Sequence, residues 1–245
     1  MNAQKLTYGR HPDQHGWLHL PETSPSTRRP LITLIHGGFW RQVWTAALME
    51  PLAHAFTLRG YAVWNLEYRR VGGGGGYPLT EEDLLAGMTL QALHALPSIP
   101  KTTVLVGHSA GGYCALRLGA ALRKRHDSMH VAGIVSLAGV LDTNEALACG
   151  IGNGAVREYF EALQELPHPL PSPIQDLPLG IPRLLASGVD DDTVPMEQSE
   201  RYCAAAASIG ETCDVLFKPH VSHYDVIDPA HPVFHDICSW IADHS

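Results

Sequence analysis

Apolar positions recur along the chain in two alternating rhythms. The runs LITLI (31–35), YAVWNLEY (61–68), TTVLVG (102–107), VAGIVSLAGV (131–140), RLLASG (183–188) and CDVLFK (213–218) are β-rich, and several are apolar on both faces. Strands buried on both sides belong to a parallel sheet covered by helices. Between them, residues 43–58, 80–95, 110–125, 196–208 and 231–243 carry helical spacing, several with Gly or Pro near an end. The repeated strand–helix order predicts an α/β sandwich with right-handed crossovers. Ahead of residue 30, KLTYGRH and GWLHLPE suggest an antiparallel edge hairpin.

Two stretches break the rhythm. Residues 143–182 hold one predicted helix, AVREYFEALQEL, followed by PHPLPSPIQDLPLGIP, whose prolines exclude a regular helix and a central strand. An insertion of that length between strands is a lid over a site or an irregular surface excursion, and a small lid is the favoured reading. The pentaglycine at 72–76 invites comparison with a phosphate loop, but YPLTEEDL follows it rather than Lys-Ser or Lys-Thr. Acidic residues at a helix start would compete with a phosphate. A mobile loop is the expectation, with a role in substrate entry as the alternative.

The chemistry concentrates in GHSAG, residues 107–111, between a β-rich run and an amphipathic helical pattern. That context suits a nucleophile elbow, in which Ser109 sits on a sharp strand-to-helix turn and the flanking glycines relieve crowding. The Ala110 amide, at a helix N-terminus, would then face developing negative charge. A second donor is expected from HGGFW (36–40) at the end of LITLI, with Gly38 or Phe39 giving the amide and Gly37 allowing close approach. His36 is read as a partner that orders this loop rather than as a base. A serine hydroxyl needs a base and an orienting carboxylate, which in the elbow arrangement follow in the order serine, acid, histidine. Asp191 in ASGVDDDTVP and His223 in KPHVSHYDVID both follow late strands. Asp190 and Asp192 are the competing acids, with a loop salt bridge or a helix cap as their simpler roles, and His220 is the competing base.

Bulk properties narrow the setting. With 245 residues, 45% of them hydrophobic and 17% charged, the chain fits one domain over 1–245 with the insertion inside it. Net charge is −8, and the basic residues are scattered apart from RKR at 123–125, which argues against nucleic acid as a partner. Five cysteines without CxxC spacing point to reduced thiols rather than a disulfide framework or zinc knuckle. The first sixteen residues lack a basic segment followed by an apolar one, and no stretch approaches the length of a membrane span. A soluble, cytoplasmic protein without a membrane partner is expected. His220 and His223 could pair on zinc, but no HExxH motif is present, so no metal is expected.

Taken together, HGGFW, EYRRVGGGGGYP, GHSAGG, GVDDDTVP and SHYDVID resemble the α/β-hydrolase superfamily, and within it the kynurenine formamidase-like and related small esterase branch. The resemblance runs from about residue 7 to 240. It implies the α/β-hydrolase fold, a mostly parallel central sheet flanked by helices. It also implies Ser109 as nucleophile, Asp191 as orienting acid, His223 as general base, and amides near Gly38, Phe39 and Ala110 as the oxyanion hole. The implied activity is hydrolysis of small carboxylic esters or arylformamides through an acyl-enzyme, with no metal or organic cofactor. A catalytically silent ligand-binding homologue and an acyltransferase using the same three residues are the alternatives. The glycine loop and the proline-rich 165–182 segment fall where members of this branch vary, so the substrate does not transfer with the mechanism. Trp40, Trp44, Tyr68, Tyr113 and Tyr224 lie in or beside the site loops and suggest an aromatic wall for an apolar or aromatic small molecule. A homo-oligomer stays open.

Overall fold

A computed structural model describes residues 3–22, 29–90, 99–125, 129–163 and 165–244. Eight strands form one sheet: β1 (Ala3–Thr7), β2 (His15–His19), β3 (Leu31–Ile35), β4 (Val63–Leu66), β5 (Thr102–His108), β6 (His130–Leu137), β7 (Arg183–Gly188) and β8 (Asp214–Lys218). Their spatial order is β1-β2-β4-β3-β5-β6-β7-β8. The expected edge hairpin is present: β1 pairs antiparallel with β2, and β2 antiparallel with β4. Strands β3 to β8 run parallel, so their carboxyl ends share one rim.

Among the described residues the helices are α1 (Glu50–Leu58), α2 (Leu79–Met88), α3 (Ala110–Arg123), α4 (Thr143–Ala148), α5 (Ala155–Tyr159), α6 (Glu197–Ser208) and α7 (Val233–Asp243). The helix predicted over 43–58 starts later, because the Thr45 hydroxyl caps a 3-10 turn at Ala46–Met49 and Pro51 opens α1. The one predicted over 80–95 runs as α2 to Met88, and residues 91–98 lie outside the described part. The helix predicted from Ala155 ends at Tyr159, where Phe160 turns inward against Tyr77 and Tyr159. The prolines beyond it leave only a 3-10 turn at Pro173–Asp176. That turn is stitched to the main body: the Ser172 hydroxyl donates to Leu141 O at 3.0 Å, and Ile174 N donates to the same carbonyl at 3.2 Å.

Alternation along each strand splits the core between two sheet faces. Leu31, Ile35, Trp64, Leu66, Leu105, Ile134 and Leu185 pack toward α2, α3 and α6. Ile32, Leu34, Val63, Val104, Val106, Val135 and Ala186 pack toward Leu52 and Phe56 of α1 and Phe234 and Ile237 of α7. Each Val, Leu, Ile or Phe among them contributes about 1.5–3 kcal/mol when fully buried. The sheet is thereby held between two apolar layers, and its carboxyl rim becomes a fixed platform.

The pentaglycine, expected as a mobile loop, folds as a hydrogen-bonded turn. Gly73 and Gly75 both donate to Arg70 O at 2.9 Å, and Gly76 N donates to the Thr80 hydroxyl at 3.1 Å. A Cβ on Gly75 would lie 2.1 Å from Arg69 O, and Gly72, Gly74 and Gly76 have φ of 87°, 78° and 108°. Glycine here serves a tight, hydrogen-bonded turn. All five cysteines are free thiols, and no described helix is long and apolar enough to cross a membrane.

Candidate active site

At the end of β5 the chain turns through Ser109 at φ 56° and ψ −120° and enters α3 at Ala110. A non-glycine residue is strained in this region by on the order of 1–3 kcal/mol and persists only where its surroundings hold it. They do so here: Ser109 N donates to Leu137 O at 2.8 Å, and Ser109 O accepts from Gly112 N at 2.8 Å. The glycines around it are sterically required. A Cβ on Gly107 would lie 2.0 Å from Gly111 O, and one on Gly111 would lie 2.1 Å from Ile35 O.

Asp191 follows β7 and His223 follows β8, so both reach the same rim as Ser109. His223 Nδ1 donates to Asp191 Oδ2 at 2.8 Å. The other carboxylate oxygen accepts from Thr193 N and Val194 N, each at 2.9 Å. Burial alone would raise the Asp191 pKa, but the His223 bond and charge and the two amides outweigh it and hold the carboxyl below its usual value. With Nδ1–H committed to an ionised carboxylate, Nε2 of a neutral His223 is the nitrogen left to accept a proton. The competing candidates do local work instead. Asp190 accepts from His220 N at 2.7 Å, Asp192 accepts from the Thr193 hydroxyl, and the His220 side chain is almost fully exposed.

His108, the variable position of GHSAG, helps hold His223 in place. Its Nε2–H donates to His223 O at 2.9 Å, and the two rings stand 4.6 Å apart between centroids. Full burial, then the neighbouring His223, lower the His108 pKa to about 3, so the ring stays neutral. Among the described residues, no hydrogen bond of 3.5 Å or less reaches Ser109 Oγ. Such contacts are commonly loose in a free enzyme and tighten when substrate binds.

The loop after β3 lies against this elbow. A Cβ on Gly37 would come within 2.8 Å of Ser109 Cβ and 2.7 Å of His108 O. Gly38, Phe39 and Trp40 have φ of 107°, 51° and 57°, and the Gly38, Phe39 and Ala110 amides find no acceptor among the described residues. Unpaired amides beside a nucleophile are free to receive an anionic oxygen. His36 is buried and orders the loop, as its ring nitrogens face Gly37 O at 2.8 Å and Glu67 Oε1 at 2.9 Å. Glu67, the first residue of EYRRVGGGGGYP and given no role in the sequence reading, also accepts from Ala46 N and Tyr68 N and pairs with Arg70. Burial would raise its pKa, but His36, Arg70 and the Ala46 amide together pull it below the ordinary value.

The aromatic wall needs correction. Trp40, Tyr68 and Tyr113 are fully buried and are occupied in packing: Trp40 stacks on Tyr159 at 4.4 Å, Tyr68 stacks on His36 at 4.3 Å, and the Tyr113 hydroxyl donates to Glu81. Trp44 and Tyr224 are the two that reach solvent, 38% and 49% exposed, with ring centroids 6.5 Å apart. Tyr224 lies 5.4 Å from the His223 ring, and Trp44 lies against Gly38, where a Cβ would meet its ring at 2.3 Å.

Comparison with known proteins adds to this geometry. Esterase B from Lactobacillus rhamnosis superposes with a TM-score of 0.82 at 18% identity, covering 99% of this chain and 84% of that one. Esterase 2 from the planctomycete Thermogutta terrifontis gives 0.74 at 20% identity, covering 98% and 90%. A truncated carbohydrate esterase from gut microbiota gives 0.75 at 16% identity, covering 100% and 96%. No curated protein matches the sequence significantly. These likenesses identify the α/β-hydrolase fold, and the BD-FAE family profile matches residues 18–205. The chain belongs to the BD-FAE family, with an esterase-like α/β-hydrolase fold.

Proposed function

We propose that the protein is a serine hydrolase that cleaves small carboxylic esters or arylformamides through an acyl-enzyme on Ser109. The observation that carries this reading is the Asp191–His223 hydrogen bond of 2.8 Å on the rim that also holds the strained Ser109. In the proposed reaction His223 Nε2 takes the Ser109 proton as the hydroxyl attacks the carbonyl carbon. The oxygen of the tetrahedral intermediate is received by amides of the Gly38–Phe39 loop and Ala110. His223 then gives its proton to the leaving alcohol or amine, and water, activated by the same imidazole, releases the acid. Asp191 fixes the tautomer and stabilises the transient imidazolium. Trp44 and Tyr224 flank the mouth and favour an aryl or other apolar group.

A fluorophosphonate probe tests the assignment. It should label the folded wild type at Ser109 and fail to label Ser109→Ala, while that variant loses measurable turnover of a short-chain aryl ester. Asp191→Asn should lower kcat by on the order of 10³ to 10⁴. Turnover that survives in Ser109→Ala would mean another nucleophile. Rates on N-formyl aryl amines measured beside acetyl and longer acyl aryl esters separate the formamidase from the esterase reading.

A further inference from the structure

On the sheet face beneath α1, away from the rim that carries Ser109, three side chains converge without a role in the chemistry above. His19 closes β2 and pairs in register with Val63, the first residue of β4. Glu50 and His54 lie one turn apart at the start of α1, on the same helix face. His19 Nε2 stands 3.5 Å from Glu50 Oε1, His54 Nε2 stands 3.3 Å from the same oxygen, and all three atoms lie within 4.8 Å of one another. The other Glu50 oxygen accepts from the Asn65 side chain at 3.2 Å, which fixes the carboxylate with one oxygen turned toward the two imidazoles.

We propose that His19, Glu50 and His54 form a binding site for a divalent transition metal of the zinc class, with solvent supplying the fourth position. Two independent features point to a ligand. His19 is 1% exposed, yet its Nε2 has no hydrogen-bond partner, and a buried polar atom left unpaired is unfavourable unless something fills the place it faces. The spacing also fits. Bonds of about 2.0–2.2 Å at tetrahedral angles put ligand atoms roughly 3.3–3.5 Å apart, which is the separation of both imidazole nitrogens from Glu50 Oε1. His54 is half exposed, and its Nε2 lies within 4.8 Å of that of His19, so a modest turn of this surface ring would close the third edge. Two imidazoles and one carboxylate form a borderline donor set that suits zinc, cobalt or nickel rather than magnesium or calcium. The Asn65 amide that orients Glu50 also donates to Ala46 O. A bound ion would therefore tie the edge hairpin to the start of α1.

The experiment titrates the chelator-treated full chain with CoCl₂ and ZnCl₂. Wild type should bind one equivalent, give tetrahedral cobalt absorption without thiolate charge-transfer bands, and show a zinc-dependent rise in Tm. His54→Ala and Glu50→Gln, both partly exposed substitutions, should fold normally by circular dichroism, bind at least about tenfold more weakly, and lose the Tm response. His220→Ala, which removes an exposed histidine elsewhere, should bind like wild type. Unsaturable binding in wild type, unchanged affinity in both His54→Ala and Glu50→Gln, or thiolate bands in the cobalt spectrum would overturn the assignment.

Discussion

His108 and Glu67 show what a single side chain contributes to this rim. Each is buried and each holds a neighbour: His108 grips the His223 carbonyl, and Glu67 gathers His36, Arg70 and two backbone amides. The His108 pKa falls from 6.5 to about 3 on folding, so below pH 6.5 the unfolded chain takes up a proton that the folded chain refuses. Stability attributable to this residue is constant above pH 6.5 and declines by about 1.4 kcal/mol per pH unit as pH falls toward 3. Urea denaturation at pH 7, 6, 5 and 4 should show a shallower decline for His108→Gln, whose amide still donates to His223 O. Parallel declines would mean that His108 is protonated in the folded state. Both residues stand in quoted stretches, GHSAG and EYRRVGGGGGYP, but what each holds was not legible, because the partners, His223 O and His36, meet them only in the folded sheet. The positions of Ser109, Asp191 and His223 on one rim were legible because each follows a strand of the parallel sheet.

At the scale of the element, the β5–α3 elbow shows local sequence dictating geometry. Gly107 and Gly111 sit where any Cβ would overlap backbone oxygen, so the spacing of the motif is a steric statement before it is a chemical one. Gly107→Ala should cost on the order of 1–3 kcal/mol by overpacking, and in the fraction that folds it should slow fluorophosphonate labelling of Ser109. Normal stability together with a normal labelling rate would refute this account. The aromatic residues failed as guides at this same scale. Residue type placed Trp40, Tyr68 and Tyr113 beside the site loops, but the left-handed turn at Gly38–Trp40 and the direction of β4 and α3 decide which way a ring points. The glycine run teaches a related lesson. Sequence shows the freedom of five glycines, whereas the carbonyl of Arg70 that gathers the Gly73 and Gly75 amides appears only in three dimensions.

Across the whole molecule, the two apolar layers do different jobs. The layer toward α2 and α3 lies under the elbow helix, while the layer toward α1 and α7 supports the sheet from the other side. Phe234 of α7 packs edge-on against Phe56 at 5.0 Å, within the layer toward α1 and α7. Phe234→Ala should lower unfolding free energy by about 3–5 kcal/mol while kcat per folded molecule stays unchanged, as read by denaturant titration and active-site counting with the probe. A parallel fall in kcat would show that the two layers are coupled. The sheet order was legible only as a class, since hydrophobic runs announce parallel strands but not which neighbours meet. The convergence of His19 with α1 depends on that pairing.

The amide of Ser109 is anchored on Leu137, the last residue of β6. The proposed nucleophile therefore takes up its reactive pose only once two strands separated by a long helix have zipped together. A chain still emerging from the ribosome, or one caught half-collapsed, carries an ordinary and harmless hydroxyl at this position. Assembly of the sheet is itself the safety catch on the proposed chemistry.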